Sequence, residues 1–323
     1  MKRLTFLGIL VLILGGYTAA QTSPAGGLTI YGIKGPSAVG MIRLFENPPR
    51  LPGGAAKMEA LAQADLMAAK FIAGEAKVGI LPPNVAAKIA STGKAIQVAA
   101  VVGTGMLSLL SGDEGVRRIE DLKGKTVEVA GQGATPDYVF RRILLSKGLD
   151  PDKDLHLGYA LAYPEIAQSL IAGRISTALL PEPFATMART GKPGLRQIGD
   201  IQVEWALANG KAPGGENYPM TVLVVDAAFA KAEPGIVRAI LYAYRSSIEW
   251  VRAHPAEAGA LVEKHDLGLR AAVVREAIPH SNYVFIPAAQ ARESLETLFR
   301  AFLDFAPPSI GGSLPQDSFY LDL

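Results

Sequence analysis

A chain of 323 residues is long enough for about two domains, and hydrophobic residues at 49% with charged residues at 19% exclude small stapled folds, disorder and collagen-like repetition. Lysine plus arginine total 32 against 30 for aspartate plus glutamate, and Lys2 with Arg3 accounts for the difference, so nothing resembles the concentrated basic face of a nucleic-acid or anionic-membrane binder. The chain has 0 cysteines, which excludes thiol nucleophiles, thiolate metal sites, iron-sulfur clusters, disulfides and lipid attachment through an N-terminal cysteine.

At the N-terminus Met1-Lys2-Arg3 precedes an apolar run over residues 4–14, and Gly15-Gly16-Tyr17-Thr18-Ala19-Ala20 follows. A charged start, a short apolar core and small residues at Thr18 and Ala20 describe a secretory signal peptide over residues 1–20, cleaved after Ala20. The apolar run is well short of the roughly 20 residues a spanning helix needs. No later stretch is long and uncharged enough to replace it, so a soluble exported protein is expected.

Residues 28–33 have strand character, and Gly35-Pro36-Ser37 opens a helix to about Glu46. A loop rich in proline and glycine over 47–54 leads to a strand at 57–62, a helix at 65–73, a strand at 76–81, a turn at Pro82-Pro83-Asn84 and a helix at 85–92. A strand at 97–102 then reaches Gly103-Thr104-Gly105, where paired glycines interrupt what would otherwise continue as a strand at 106–110. The segment 113–125 is charged, and beyond it come a strand at 126–130, a glycine-rich turn and a helix at 136–146. A short strand near 155–159, a helix at 164–172, a strand at 175–180 and a helix after Glu182-Pro183 complete a second series. Past the loop at 211–218, a strand at 220–225 returns to the first series, and from Glu233 onward the pattern is almost entirely helical. Strands alternating with helices at this spacing predict two α/β lobes joined by two crossings. Lobe I is expected over 27–104 and 220–323 and lobe II over 105–219, with a ligand cleft between them that closes by hinging.

In open α/β sheets ligands sit beyond the carboxyl ends of the strands, where helix N-termini converge. That rule selects Gly35-Pro36-Ser37, Leu81-Pro82-Pro83-Asn84, Gly131-Gln132-Gly133-Ala134-Thr135-Pro136 and Pro181-Glu182-Pro183-Phe184. Ser37, Asn84 and Thr135 are each explained equally by capping a helix and by touching a ligand. Three such helix starts aimed into one cleft suit a carboxylate, a sulfonate or a carbonyl-rich ring. The glycine turn lacks the Lys-Ser/Thr of a nucleotide P-loop, and Pro136 stands where the dinucleotide pattern has its last glycine, so a nucleotide is not expected. Glu182, between two prolines, is positioned to accept a hydrogen bond from a ligand nitrogen, with Phe184 stacking nearby. Tyr163 and Tyr218 flank turns and either line the cleft or pack. His156, His254, His265 and His280 are scattered without metal-ligand spacing, and no nucleophile turn is present. No catalytic residue, metal or cofactor is expected.

Taken together, the leader, Asp121-Leu122-Lys123-Gly124-Lys125-Thr126-Val127 followed by Gly131 to Pro136 and Arg141, the Pro181-Glu182-Pro183-Phe184 turn and the Tyr218-Pro219 return resemble the type II periplasmic substrate-binding proteins of ABC importers, in the branch of sulfonate, nitrate and thiamine-pyrimidine binders. The resemblance spans nearly the whole chain after the leader. It implies a two-lobe fold, each lobe a mixed sheet flanked by helices, that captures a small molecule in the periplasm as a monomer and delivers it to a permease and ATPase complex. It also implies ligand contacts at Ser37, Asn84, Thr104, the turn from Gln132 through Gly133 and Ala134 to Thr135, and Glu182. The alternatives are an enzyme on the same fold, similar to pyrimidine synthases or menaquinone-pathway dehydratases, and a binding module serving a sensor. Absent cysteines weigh against the first enzyme and the leader against both.

Overall fold

The protein is described by a computed structural model over residues 27–129, 131–213 and 217–322. The expected signal peptide at 1–20, Ala130 of the expected strand at 126–130 and part of the loop at 211–218 lie outside the described residues.

The chain opens with β1 (Thr29–Ile33), α1 (Pro36–Val39) and α2 (Ile42–Glu46). One helix was expected here; two form, with Gly40 and Met41 between them, and the Gly40 carbonyl accepts from Ser247 Oγ at 2.9 Å. The proline-rich loop contains a small hairpin, β2 (Arg50–Leu51) with β3 (Gly54–Ala55). Then follow β4 (Lys57–Leu61), α3 (Ala64–Ile72), β5 (Val78–Leu81), α4 (Pro83–Ser91) and β6 (Ile96–Thr104). The second series is β7 (Leu107–Ser111), β8 (Thr126–Val129), α5 (Thr135–Ser146), β9 (His156–Gly158), α6 (Tyr163–Ile171), β10 (Thr177–Pro181), α7 (Phe184–Gly191), β11 (Arg196–Gln197) and α8 (Ile201–Ala208). The sequence reading passed over α8, although Asp200 caps it by accepting from Gln202 N and Val203 N. The chain ends with β12 (Pro219–Asp226), α9 (Ala227–Ala232), α10 (Pro234–Ala253), α11 (Pro255–Lys264), α12 (Ala271–Ala277), β13 (Tyr283–Pro287) and α13 (Ala288–Phe305). β13 departs from the expected helical C-terminal region: Tyr-Val-Phe-Ile is a strand-forming run, and it pairs antiparallel with β6.

Two mixed sheets result, in the orders β13-β6-β12-β5-β1-β4 and β11-β7-β10-β8-β9. β1 is parallel to β4 and β5 while β12 runs against β5 and β6. In the second sheet β8 is parallel to β9 and β10, and β7 runs against β10 and β11. One apolar cluster reaches both sheets, including Leu81, Val98 and Val222 of the first and Leu107, Val127 and Leu179 of the second. Across the junction, Tyr138 of α5 packs between Phe302 and Phe305 of α13, with ring centroids at 4.7 and 5.8 Å, and Arg142 pairs with Asp304 at 3.2 Å.

β6 continues through Thr104, in register with Pro219, and Gly105-Met106 connect it to β7 of the second sheet. Gly105 has φ 29; its NH donates to Tyr218 O at 3.0 Å, and its carbonyl accepts from Gln202 Nε2 and Asn282 Nδ2, each at 2.6 Å. A Cβ at this position would fall on the Asn217 side chain. Gly105→Ala is therefore expected to lower the unfolding free energy by about 1–3 kcal/mol, read from the urea midpoint, with Asn217→Ala in the same chain recovering part of the loss. An unchanged midpoint would show that the crossing yields freely.

Candidate functional site

Register places the four selected loops in two neighbouring pairs. β1 and β5 lie side by side with Tyr31 opposite Gly79, so Ile33 and Leu81 end at one level and the turns before α1 and α4 emerge about 4.8 Å apart. In the other sheet Leu179 lies opposite Val129, which brings the glycine turn before α5 beside the Glu182 turn before α7. Thr104 ends β6 at the same edge as Leu81, two strands away across β12.

The helix starts differ in what satisfies them. Ser37, at the second position of α1, makes no capping bond. Asn84 is at the second position of α4 after Pro82 and Pro83, and its Oδ1 is buried without a hydrogen-bond partner among the described residues. Thr135 was expected to cap α5; instead Ala134, extended at φ −103 and ψ 177, is the cap residue and Thr135 begins the helix. Thr135 is 3% exposed, and its Oγ1 also has no partner. Pro82, Pro83 and Pro136 carry no NH and the Ala134 NH donates to Gly131 O at 2.9 Å, so the first-turn amides without helical acceptors are those of Asn84 and Val85 at α4 and of Thr135 and Asp137 at α5, beside uncommitted side-chain oxygens.

Asp137, which the sequence reading missed, braces the glycine turn. Its carboxylate is 2% exposed and accepts from Gly133 N at 2.8 Å, Arg141 Nε at 2.8 Å and Tyr159 Oη at 2.7 Å. Burial and the Asp137 charge raise the Tyr159 phenol. The only signal in the sequence was the Asp137 and Arg141 spacing of four, which puts opposite charges on one helix face. Gln132 is exposed, Gly133 and Ala134 are half-buried, and a cavity of 430 Å³ opens beside Gln132 and Gly133, bounded by Arg141, Asp152 and Phe305. A larger one of 570 Å³ lies between the end of α4 and residues 310–319, at the opposite edge of the first sheet, away from all four loops.

Glu182 is placed differently from expectation, and Tyr218 takes the packing alternative. Glu182 is 1% exposed; Oε2 accepts from Thr186 N at 2.9 Å, and Oε1 accepts from Arg189 Nη2 at 2.6 Å. Both oxygens are committed to closing α7, so the carboxylate is a brace and not an open acceptor. Tyr218 is fully buried, its Oη accepts from Leu107 N at 3.2 Å, and its ring meets Trp205 edge-on at 5.7 Å. It packs at the crossing and does not line a cleft. Tyr163 and Phe184, by contrast, stack at 5.6 Å with 29° between their planes, and burial pushes the Tyr163 phenol up to about 12, which keeps it a neutral donor. Thr104 is buried and its NH donates to Asn282 O at 3.2 Å. Asn282, at φ 44, and Tyr283, whose Oη donates to Pro36 O at 3.1 Å, are further residues of this edge that the sequence reading missed, since both follow a stretch read as helix.

The histidines take no part. His265 pairs with Glu46 at 2.6 Å, His254 stacks on Trp250 at 5.1 Å, and His156 and His280 are exposed. Among the described residues no group of three or more His, Asp or Glu is arranged to hold a metal ion, and no helix is long and apolar enough to cross a membrane.

A family model described as NMT1-like matches residues 47–264. The chain belongs to the NMT1-like family. No curated protein matches it. Among solved structures, this NMT1-like chain is similar to an ABC transporter protein from Parabacteroides distasonis at 24% identity and TM-score 0.78, over 92% of this chain and 99% of that one. It is also similar to the periplasmic aliphatic sulphonate binding protein SsuA of Escherichia coli, at 16% identity and TM-score 0.72, over 93% of each chain. The periplasmic nitrate-binding protein NrtA of Synechocystis is similar at 13% and 0.57, over 78% and 70%. At these identities the likeness shows the fold, and the expected mixed-sheet α/β fold of periplasmic binding proteins is the one found.

The contrast between braced and open groups is measurable. Glu182→Gln breaks a buried pair and is expected to lower stability by roughly 2–4 kcal/mol. Thr135→Val removes a hydroxyl with no partner and is expected to leave stability within about 0.5 kcal/mol or raise it. Comparable losses in urea titrations of the two variants would show that Thr135 is tied into the fold.

Proposed function

We propose that this NMT1-like protein is the solute-binding component of an ABC-type importer. It captures one small organic ligand, an organic anion or a small nitrogen heterocycle, between lobe I (27–104 and 220–323) and lobe II (105–219), and hands it to a membrane permease with its ATPase. The observation that carries the reading is the pair of helix starts, one on each sheet, at which Asn84 and Thr135 keep buried oxygens without a protein partner. Such starts favour anionic and carbonyl oxygens through their NH groups and dipole, and the two side chains add directional bonds. Ser37, the Gln132 to Ala134 turn, Thr104, Tyr163 and Phe184 complete the contact set, while Glu182 and Tyr218 hold the framework.

Capture without conversion is supported by the uncommitted groups themselves, none of which is a base paired with a nucleophile. The leader reading puts the protein in the periplasm, cleaved after Ala20, as a soluble monomer. A ligand that touches both lobes stabilises the closed form by its difference in affinity for the two arrangements.

Calorimetry and small-angle scattering on the purified protein are expected to show one-to-one binding with a reduced radius of gyration. Thr135→Val is expected to weaken binding about tenfold or more, the equivalent of ~1.4 kcal/mol. Recovery of a product chemically different from the ligand added, or scattering that stays constant at saturation, would overturn the reading.

A further inference from the structure

Side chains on β8 alternate between two faces of the second sheet. Val127 and Val129 enter the cluster formed with α5 and α8, so Glu128 projects to the other face, which α6 and α7 cover. Its register partners there are Ala178 on β10 and Gly158 on β9, both small. A Cβ built on Gly158 would come within 2.6 Å of Glu128 Oε2, so the carboxylate lies directly across β9. Oε2 is buried without a partner, and no hydrogen bond or ion pair from a described residue reaches either oxygen of this side chain.

Glu128 itself is half-buried, and the three fully buried carboxylates among the described residues are all paired. Asp137 has Arg141 at 2.8 Å, Glu182 has Arg189 at 2.6 Å and Asp226 has Lys94 at 3.1 Å. At Glu128 one oxygen, Oε2, is closed off from solvent and meets no donor from the described residues, so a donor brought by a ligand would satisfy it. An aromatic surface stands close by. A Cβ at Gly131, three residues on, would lie 3.6 Å from Tyr163 Oη. Tyr163 packs on the same face as Glu128 and stacks on Phe184.

We propose that Glu128 forms a subsite for a ligand nitrogen that donates hydrogen bonds, an alkylammonium, an amidinium or the amino group of a heterocycle, with the Tyr163 ring as its flat wall. This rests on the solute-binding reading and narrows it, because the helix starts at Asn84 and Thr135 suit the oxygen-bearing end of a ligand and Glu128 suits the nitrogen.

Matched probes separate the two claims. Calorimetry is run with 2-aminoethanesulfonate against ethanesulfonate, and with 4-aminopyrimidine against pyrimidine. The wild-type protein is expected to prefer the amino member of a pair tenfold or more. Glu128→Gln should reduce that preference below threefold, Glu128→Asp should leave an intermediate value, and Thr135→Val should weaken both members alike. Measurable but equal binding of both members by the wild type, or a preference that survives Glu128→Gln, overturns the subsite and leaves capture standing. If no probe binds, mass spectrometry of small molecules retained on the purified protein decides: a ligand with a donor nitrogen supports the subsite, one without it overturns the subsite, and no ligand at all overturns both readings. Without any ligand, Glu128→Gln should leave Tm unchanged or raised; a fall of more than about 5 °C shows a structural bond at Glu128 and overturns the subsite.

Discussion

At Gly105 the chain passes from one sheet to the other through a backbone that three separate segments hold. Gln202 of the second series, Asn282 before β13 and the Tyr218 carbonyl on the return strand all bond to this one residue, and the position tolerates no side chain because Asn217 fills the space. One residue later Met106 O accepts from Glu182 N at 2.9 Å. The crossing is thus bonded directly to the turn that starts α7 and carries Phe184. The crossing and the turn that carries Phe184 are therefore joined through the backbone, and under the proposed capture a shift of one sheet against the other would be felt at that turn.

The second organising feature is the unequal treatment of helix starts. The orphan amides of α7 are met by Glu182, those of α8 by Asp200, and the Ala162 NH ahead of α6 by Glu165 at 3.0 Å. Each of these carboxylates also cancels part of the positive potential of its helix end. At α4 and α5 the residues are Asn84 and Thr135, uncharged and without partners, and Asp137 in the first turn of α5 turns its charge to Gly133, Arg141 and Tyr159. The same structural need is therefore satisfied by a side chain at some loops and not at others. The difference lies in single side chains.

Much of the fold could be read from sequence because parallel strands here are short apolar runs separated by helices with Gly and Pro at their ends, so the four loops at the carboxyl ends were identifiable in advance. What escaped was anything decided by partners distant in the chain. Glu182 looked open because Arg189, seven residues on, reaches it only once α7 has formed. Tyr218 was left open between cleft and packing because nothing in Tyr218-Pro219 reveals that Leu107 N donates to its oxygen. Thr135 looked like a cap because it precedes a proline; the extended backbone of Ala134 shifts the helix start by one residue. Tyr283 to Pro287 was absorbed into a helical region, although its bulky run becomes a strand against β6.

Glu128 shows why the shared fold leaves the ligand open. In Thr126-Val127-Glu128-Val129 the alternation reads as a strand with one face toward water, the ordinary place for a glutamate. Pairing with β9 and β10 leaves that face half-covered, where Gly158 and Ala178 have no long side chains to crowd the carboxylate and Oε2 meets no protein donor. Helix starts supply affinity for almost any anion or carbonyl, because backbone amides are the same in every member of the fold. Discrimination has to come from side chains whose needs the protein itself does not meet. In this chain Glu128 is half-buried on the second sheet, with Oε2 closed off from solvent and from protein donors, on the face where Tyr163 and Phe184 stack, and under the proposed subsite it is this sheet that selects among ligands.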